Sequence, residues 1–417
     1  MPLRILWNSD RIIGGRSAYS KVTNQCCTRL VKMGYKVAHI PMGMANRMSP
    51  QEHNGILVYR SGINPFNDDI AVNRYIDFKA DMLISLKEAW TLHNIPNYAI
   101  NHVPYTPIDH SPVSPEMLKP LHTAYAVLTP SRHGQRELKD AGIENVHYAP
   151  HGVDINVYRN LGEKRKDCKK LWFIKDPDDF VVLMVTMNRV RKMNPRAFRG
   201  YKRFLDMNPD IKSHLFFWGD MTPSNVQDTD GAYSAGVSDV GVNLLPEVMN
   251  LGLGEAIIWP DKTMINTGVS EWAGEDYKGG WDMVKLYNMA DVLLCCTGGE
   301  GFALTLIESQ ACGTPVICTD YASGPEQVGA GLTVKSEDYG IFNTPGVRRA
   351  MTSIDGMGEA LTKIANADKD KLARRARRFS LRYDWDTIMN RHFKPFLDDA
   401  ELNLKPLITK EGIKSWA

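Results

Sequence analysis

Two α/β domains, each built on a parallel sheet, are predicted by three observations. Residues 291–326 read as strand, glycine-rich loop, helix and strand, the repeating unit of a parallel sheet. The chain opens on a second such unit, with a strand over 4–8, a Gly14-Gly15 turn, a helix over 17–33 and a strand over 35–40. At 417 residues there is length for two full cores.

Composition excludes several classes. With 43% hydrophobic and 24% charged residues, neither disorder nor a membrane span is indicated. No window approaches the ~20 uninterrupted apolar residues of a spanning helix. A net charge of +2 gives no argument for nucleic acid. The seven cysteines, an odd number in apolar contexts such as Cys295-Cys296, read as buried thiols in a reducing compartment. The chain begins in a strand instead of a leader pattern, so a cytoplasmic location is expected. No ligand-spaced Cys/His cluster predicts a metal, and no cofactor is expected.

In the first half, the Gly14-Gly15 turn ends the first strand but lacks G-x-G-x-x-G, and Pro41 stands where a ribose-binding acid would close the second strand. A nicotinamide site is therefore not expected. Strands are predicted over 81–86 and 101–105. The second of these runs into Asp109-His110, at a strand end where chemistry is usually carried. Asp109 and His110 are open to two roles, near the reacting carbon or on an acceptor hydroxyl, and Asp109 also to a third reading as a cap for the turn before Pro112. A strand over 124–129 leads to Ser131, a helix cap. The basic stretch 164–170 reads as a solvated helix face on an interdomain linker.

The second half begins with a strand over 180–187, followed by Arg189, Arg191 and Lys192 in the loop before a helix over 196–205. Three cations at a strand end suit a diphosphate leaving group, whose negative charge grows as its bond breaks. A strand over 214–220 follows. Residues 221–240 lack periodicity and read as an insertion. A helix over 247–253 and a strand over 256–259 lead to the unit at 291–326. There Val292 to Cys296 is apolar without alternation, as a strand covered on both faces should be. The loop 297–301 opens a helical run over 302–312, stopped by Gly313. Glu300 and Glu308 stand eight residues apart, roughly 12 Å along a helix, a span that suits a nucleotide-sugar. The N–H groups of Gly301, Phe302 and Ala303 are candidates to hold a phosphate oxygen at the helix start. Glu308 lies in a helix apolar almost all round, so it needs a partner or a ligand. Residues 331–334 are read as the last strand. Arg374, Arg375, Arg377 and Arg378 are read as a solvated helix face, with anionic lipid or nucleic acid as the alternative contact.

The run 300–308 followed by 311–317 resembles the Glu-seven-Glu motif of retaining glycosyltransferases of family 4. Residues 286–291 are similar to that family's LYNAAD segment, 105–110 to its YxPxDG pattern with histidine in place of glycine, and 149–154 to its PHGVD segment. The resemblance implies a GT-B architecture of two Rossmann-like domains facing a cleft. An acceptor-binding domain would span 1–165, a nucleotide-sugar domain 175–385, and a C-terminal helix in 386–417 would cross back to the first domain. It implies a hexose moved with retention from a nucleotide-diphosphate sugar to a hydroxyl acceptor, without a metal and by front-face attack. Glu300 would grip the sugar, Glu308 the ribose, Arg189 and Lys192 the diphosphate, with Arg191 able to substitute for either cation. Gly14, Gly15 and Arg16 would face the diphosphate, and Asp109 the reacting carbon. The acceptor stays open among a glycan, a lipid-linked sugar, a small molecule and a hydroxymethylated nucleic-acid base. A nucleotide-sugar epimerase and a retaining phosphorylase of the same fold are the alternatives.

Overall fold

The computed structural model describes residues 2–13, 15, 17–42, 50–172, 174–222, 239, 241–260, 282–342 and 346–404. Gly14, Arg16, most of the expected insertion at 221–240 and the tail beyond 404 lie outside the described residues.

The first sheet holds eight strands: β1 (Arg4–Ser9), β2 (Lys36–Pro41), β3 (Gln51–His53), β4 (Ile56–Val58), β5 (Met82–Leu86), β6 (His102–Tyr105), β7 (Val127–Thr129) and β8 (Val146–Tyr148). Their order is β3-β4-β2-β1-β5-β6-β7-β8, all parallel except the β3–β4 pair. β5 is buried at every position, as a strand covered on both faces must be. Helix α1 (Ala18–Lys32) follows β1. Ser17 caps it by accepting the Ser20 N–H at 3.0 Å, and Gly34 at φ +96° takes the chain out of it. Further on, α2 (Ala71–Phe78) precedes β5 and α3 (Arg132–Asp140) lies between β7 and β8. Ser131 caps α3 as expected, accepting from the Gly134 N–H at 3.0 Å.

The helix α4 (Arg165–Leu171) leads into the second sheet. Lys164, Lys166 and Lys170 are exposed as a solvated face requires, but Arg165 and Lys169 correct that expectation. Arg165 donates to the carbonyls of Cys312 and Ala290, and the buried Lys169 pairs with Asp291 at 2.8 Å. The aliphatic stems cover the core while the charged heads find oxygen atoms at its edge.

The second sheet is wholly parallel: β9 (Phe180–Val185), β10 (Ser213–Trp218), β11 (Ile257–Ile258), β12 (Val292–Cys295), β13 (Val316–Thr319) and β14 (Gly331–Val334), in the order β11-β10-β9-β12-β13-β14. Its helices are α5 (Asn194–Met207), α6 (Leu245–Asn250), α7 (Met283–Met289), α8 (Leu304–Ala311) and α9 (Ile354–Ala365). Gly313 leaves α8 at φ +80°, as its position predicts.

β14 is not the last strand. An antiparallel pair, β15 (Ser336–Phe342) and β16 (Val347–Thr352), follows it as a separate two-stranded sheet. Its strands carry neither sustained alternation nor a continuous buried apolar run, so nothing in the sequence marks them. Helix α10 (Lys369–Ser380) then packs on α8. Arg374, Arg375 and Arg378 are exposed, whereas Arg377 donates to the carbonyls of Ile155, Tyr158 and Ala311. The chain finally returns to the first sheet. Phe393 lies edge-on to Tyr105 with centroids 5.8 Å apart, and Phe396, in α11 (Lys394–Asn403), tilts over His147 at 5.0 Å. The C-terminal helix thus crosses back, and the architecture is GT-B.

Candidate functional site

In parallel sheets ligands gather beyond the carboxyl ends of the strands. Here β9 and β12 are neighbours, and the turns after them meet. After β9, residues 190–192 form one tight helical turn, and Met193 in the left-handed region (φ 53°) launches α5. This turn brings Lys192 Nζ to 2.5 Å from Glu300 Oε1 and Arg191 Nη1 to 3.6 Å from Glu300 Oε2. The Gly298 N–H donates to the Arg191 carbonyl at 2.8 Å, which ties the two turns by backbone as well. Ser323 holds the Glu300 carbonyl through its N–H and its hydroxyl, at 3.2 and 2.7 Å.

Burial by itself would raise the Glu300 carboxyl, but Lys192 and Arg191 outweigh it and hold the group below the usual carboxylate range. Glu300 is therefore an ionised hydrogen-bond acceptor, fitted to sugar hydroxyls and unfitted to give a proton. Burial also disfavours the Arg191 charge, yet Glu300, Asp109 and Asp239 together push its pKa up. Arg191 pairs with Asp239 at 3.0 Å, while Arg189 turns away and donates to the Asp239 carbonyl at 3.2 Å. Of the three cations, Arg191 and Lys192 reach the carboxylate and Arg189 braces the neighbouring chain.

The helix start differs from the expected one. α8 begins at Leu304, and Ala303 is extended (φ −94°, ψ 99°). The Ala303 N–H is already spent on Gln327 Oε1 at 2.9 Å, so it does not face a phosphate. Gly301 and Phe302 show no protein acceptor for their N–H groups among the described residues. The Phe302 ring is buried between His151 and Tyr383, at 5.1 and 5.8 Å. A side chain on Gly301 would meet Pro107, and one on Gly299 would meet the Asp109 carbonyl, so the two domains touch at these glycines. Gly15 leaves no room for a side chain beside Arg11 and Ser20, which makes it a tight turn.

Glu308 has its partners. Tyr287 donates to Oε2 at 2.7 Å, and Lys21 from α1 of the first domain lies 2.9 Å from Oε1. A cleft opens beside this pair, lined by Gln25, Asp154, Tyr158, Leu304 and Trp385 among others.

From the first domain, Asp109 meets Arg349 of β16 at 2.7 Å and His110 Nδ1 at 2.9 Å. His110 Nε2 accepts the Ser114 N–H at 3.2 Å, so the ring proton sits on Nδ1 and is donated to Asp109. Burial opposes the Asp109 charge, but Arg349 and His110 hold its carboxyl far below the usual range. Neighbouring strand ends add Glu88, which accepts from the Tyr19 hydroxyl at 3.0 Å and whose carboxyl burial pushes up. They also add Lys87, fully buried and lowered to about 7 by burial. Sequence reasoning missed Lys21, Arg349 and Asp239. Lys21 is one of many helix lysines, and the other two lie in stretches without periodicity.

Residues 276–338 match the model of the family described as glycosyl transferases group 1. The match covers 63 of the 417 residues. The group 1 segment contains β12, α8, β13, both glutamates and Tyr287. A D-inositol 3-phosphate glycosyltransferase of Saccharomonospora viridis is 32% identical over 113 residues, 26% of this chain and 23% of that protein. The match thus spans about a quarter of the curated relative. Among solved structures, a sucrose-phosphate synthase of Thermosynechococcus elongatus superposes with a TM-score of 0.67 at 15% identity, covering 96% of this chain and all of that one. A glycosyltransferase of Rickettsia africae does so at 0.66 and 13%, covering 96% and 99%. Anabaena HepE in complex with UDP-glucose does so at 0.64 and 14%, covering 96% and 100%. At such identities the likeness is one of fold, and it extends well beyond the group 1 segment.

Proposed function

We propose that this chain is a metal-independent retaining glycosyltransferase that moves a hexose from a nucleotide-diphosphate sugar to a hydroxyl acceptor. The observation that carries the reading is the meeting of Arg191 and Lys192 with Glu300 at the adjoining ends of β9 and β12. A carboxylate fixed as a hydroxyl acceptor sits beside two cations and the N–H groups of Gly301 and Phe302, the pattern that a sugar joined to a diphosphate requires. HepE, of similar fold, is described in complex with UDP and glucose, which supports a nucleotide-sugar donor.

In this reading the two cations take up the charge that grows on the leaving diphosphate. Glu300 turns the hexose, and a departing phosphate oxygen helps take the acceptor proton on the same face. Glu308 meets the ribose hydroxyls through the lone pairs that Tyr287 and Lys21 leave free. The acceptor is a hydroxyl compound bound against the first-domain strand ends near Asp109 and Glu88. Its class is open among glycan, lipid-linked sugar, small molecule and hydroxymethylated base.

The test is thermal shift and slow hydrolysis with UDP-, GDP-, ADP- and TDP-glucose, on the wild type and on Glu300→Gln and Lys192→Ala. One nucleotide sugar should raise the melting temperature and be hydrolysed, with both effects weakened in the variants. If none of the four stabilises the wild type, the donor assignment falls.

A further inference from the structure

The β15–β16 hairpin lies beyond the group 1 segment for most of its length, yet it touches both sides of the cleft. On the second-domain side, the Ala350 N–H donates to the Gly298 carbonyl at 3.0 Å, gripping the loop that carries Glu300. On the first-domain side, Arg349 Nη1 lies 2.7 Å from Asp109 Oδ2 and 3.2 Å from the Asp109 carbonyl. The Tyr321 hydroxyl accepts the Ser111 N–H at 2.9 Å and donates to the Arg348 carbonyl at 3.0 Å, a second strut between the same parts. Arg349 is 4% exposed, so its end of the pair is shielded from water.

We propose that Arg349 is a positioning residue for the transfer reaction, acting through Asp109, which it locks against the donor loop so that the carboxylate accepts a hydrogen bond from a substrate hydroxyl. This rests on the transferase reading above. Asp109 Oδ1 takes the His110 proton and Oδ2 takes Arg349, but a carboxylate has about four lone-pair sites. The two that are left belong to a side chain that is still 26% exposed. The other charged or titratable groups acting on it are Arg191, Glu300, Glu88 and Tyr321. Arg349 thereby makes Asp109 a poor base and a strong hydroxyl anchor, and it sets the spacing between the loop at 106–111 and Gly299.

The experiment uses the full chain with Arg349→Met, Arg349→Lys, Asp109→Asn and the double variant Arg349→Met with Asp109→Asn. Hydrogen exchange is followed over 106–111, and hydrolysis of UDP-glucose is followed against pH. Arg349→Met should strip protection from 106–111 and lower hydrolysis about 100-fold, as a displaced substrate contact does. It should also create an acid limb near or above pH 4, where a released Asp109 titrates. Arg349→Lys should recover most of the rate. The double variant should lack the new limb and lose little beyond the single ones, because the two residues act as a unit. Unchanged exchange over 106–111, or losses that simply multiply in the double variant, would overturn the assignment. Should Arg349→Met not fold, Asp109→Asn decides: unchanged exchange over 106–111 in that variant overturns it. A wild type that hydrolyses no UDP-glucose counts against that donor, while the exchange result still judges the clasp.

Discussion

Lys21 Nζ and Glu308 Oε1 lie 2.9 Å apart, an ion pair between the first helix of one domain and the glutamate-bearing helix of the other. Their side chains are 20% and 5% exposed, so the pair is largely shielded from solvent. Lys21→Met leaves Glu308 with the Tyr287 hydroxyl alone. Removing one partner of such a pair costs up to about 3 kcal/mol, because the other charge stays buried without its counter-ion. Denaturant unfolding of Lys21→Met should show this loss, and Glu308→Gln combined with Lys21→Met should recover part of it.

Lys192→Ala should act on Glu300 as well as on donor. Glu300 is held ionised by Lys192 and Arg191. A lowered carboxyl contributes stability that is present above its unfolded pKa and lost as pH falls through the folded one. Without Lys192 that loss should begin at higher pH, closer to the ordinary glutamate range. Melting temperature followed from pH 7 to pH 3 reads the displacement. The rate of donor hydrolysis should fall by about 10² or more, the usual effect of removing one group aimed at developing charge.

Lys87 predicts a slope of the same sign in the alkaline range. Its pKa falls from 10.5 to about 7 in the folded chain, chiefly through burial, with Asp68, Asp10 and Glu88 pulling it back. Between those pH values the unfolded chain binds the extra proton, so stability should rise with pH from about 7 towards 10.5. Below pH 7 the burial penalty is present in full. In Lys87→Met this rise should flatten, as urea unfolding at pH 7 and pH 9.5 would show.

Gly301→Ala should separate the domains locally. The added methyl would run into Pro107, whose Cα is only 3.0 Å from that position. Pro107 is stiff, so the donor loop must move instead, at a cost of about 1–3 kcal/mol. Donor-induced thermal stabilisation should shrink while the far-ultraviolet dichroism keeps its shape. Gly254→Ala, where nothing crowds the new atom, is the control and should leave both unchanged.

The sequence by itself determined the two parallel sheets, the cap at Ser131 and the helix stop at Gly313. These follow from local rules, since an unalternating apolar run suits only a strand covered on both faces, and a strand end followed by a glycine loop suits only a turn. The need of Glu308 for a partner was legible too, because a carboxylate in an apolar helix must be satisfied. Its partner was not. Lys21 and Glu308 stand 287 residues apart, and Arg349 and Asp109 stand 240 apart, so no periodicity links either pair. Nor did the sequence show that the Ala303 N–H is taken by Gln327, or that Arg165 and Lys169 turn inward. Only the tertiary structure decided these. A charged side chain has several candidate partners along a chain, and the packing of the sheets and helices selects the one that comes within hydrogen-bond reach.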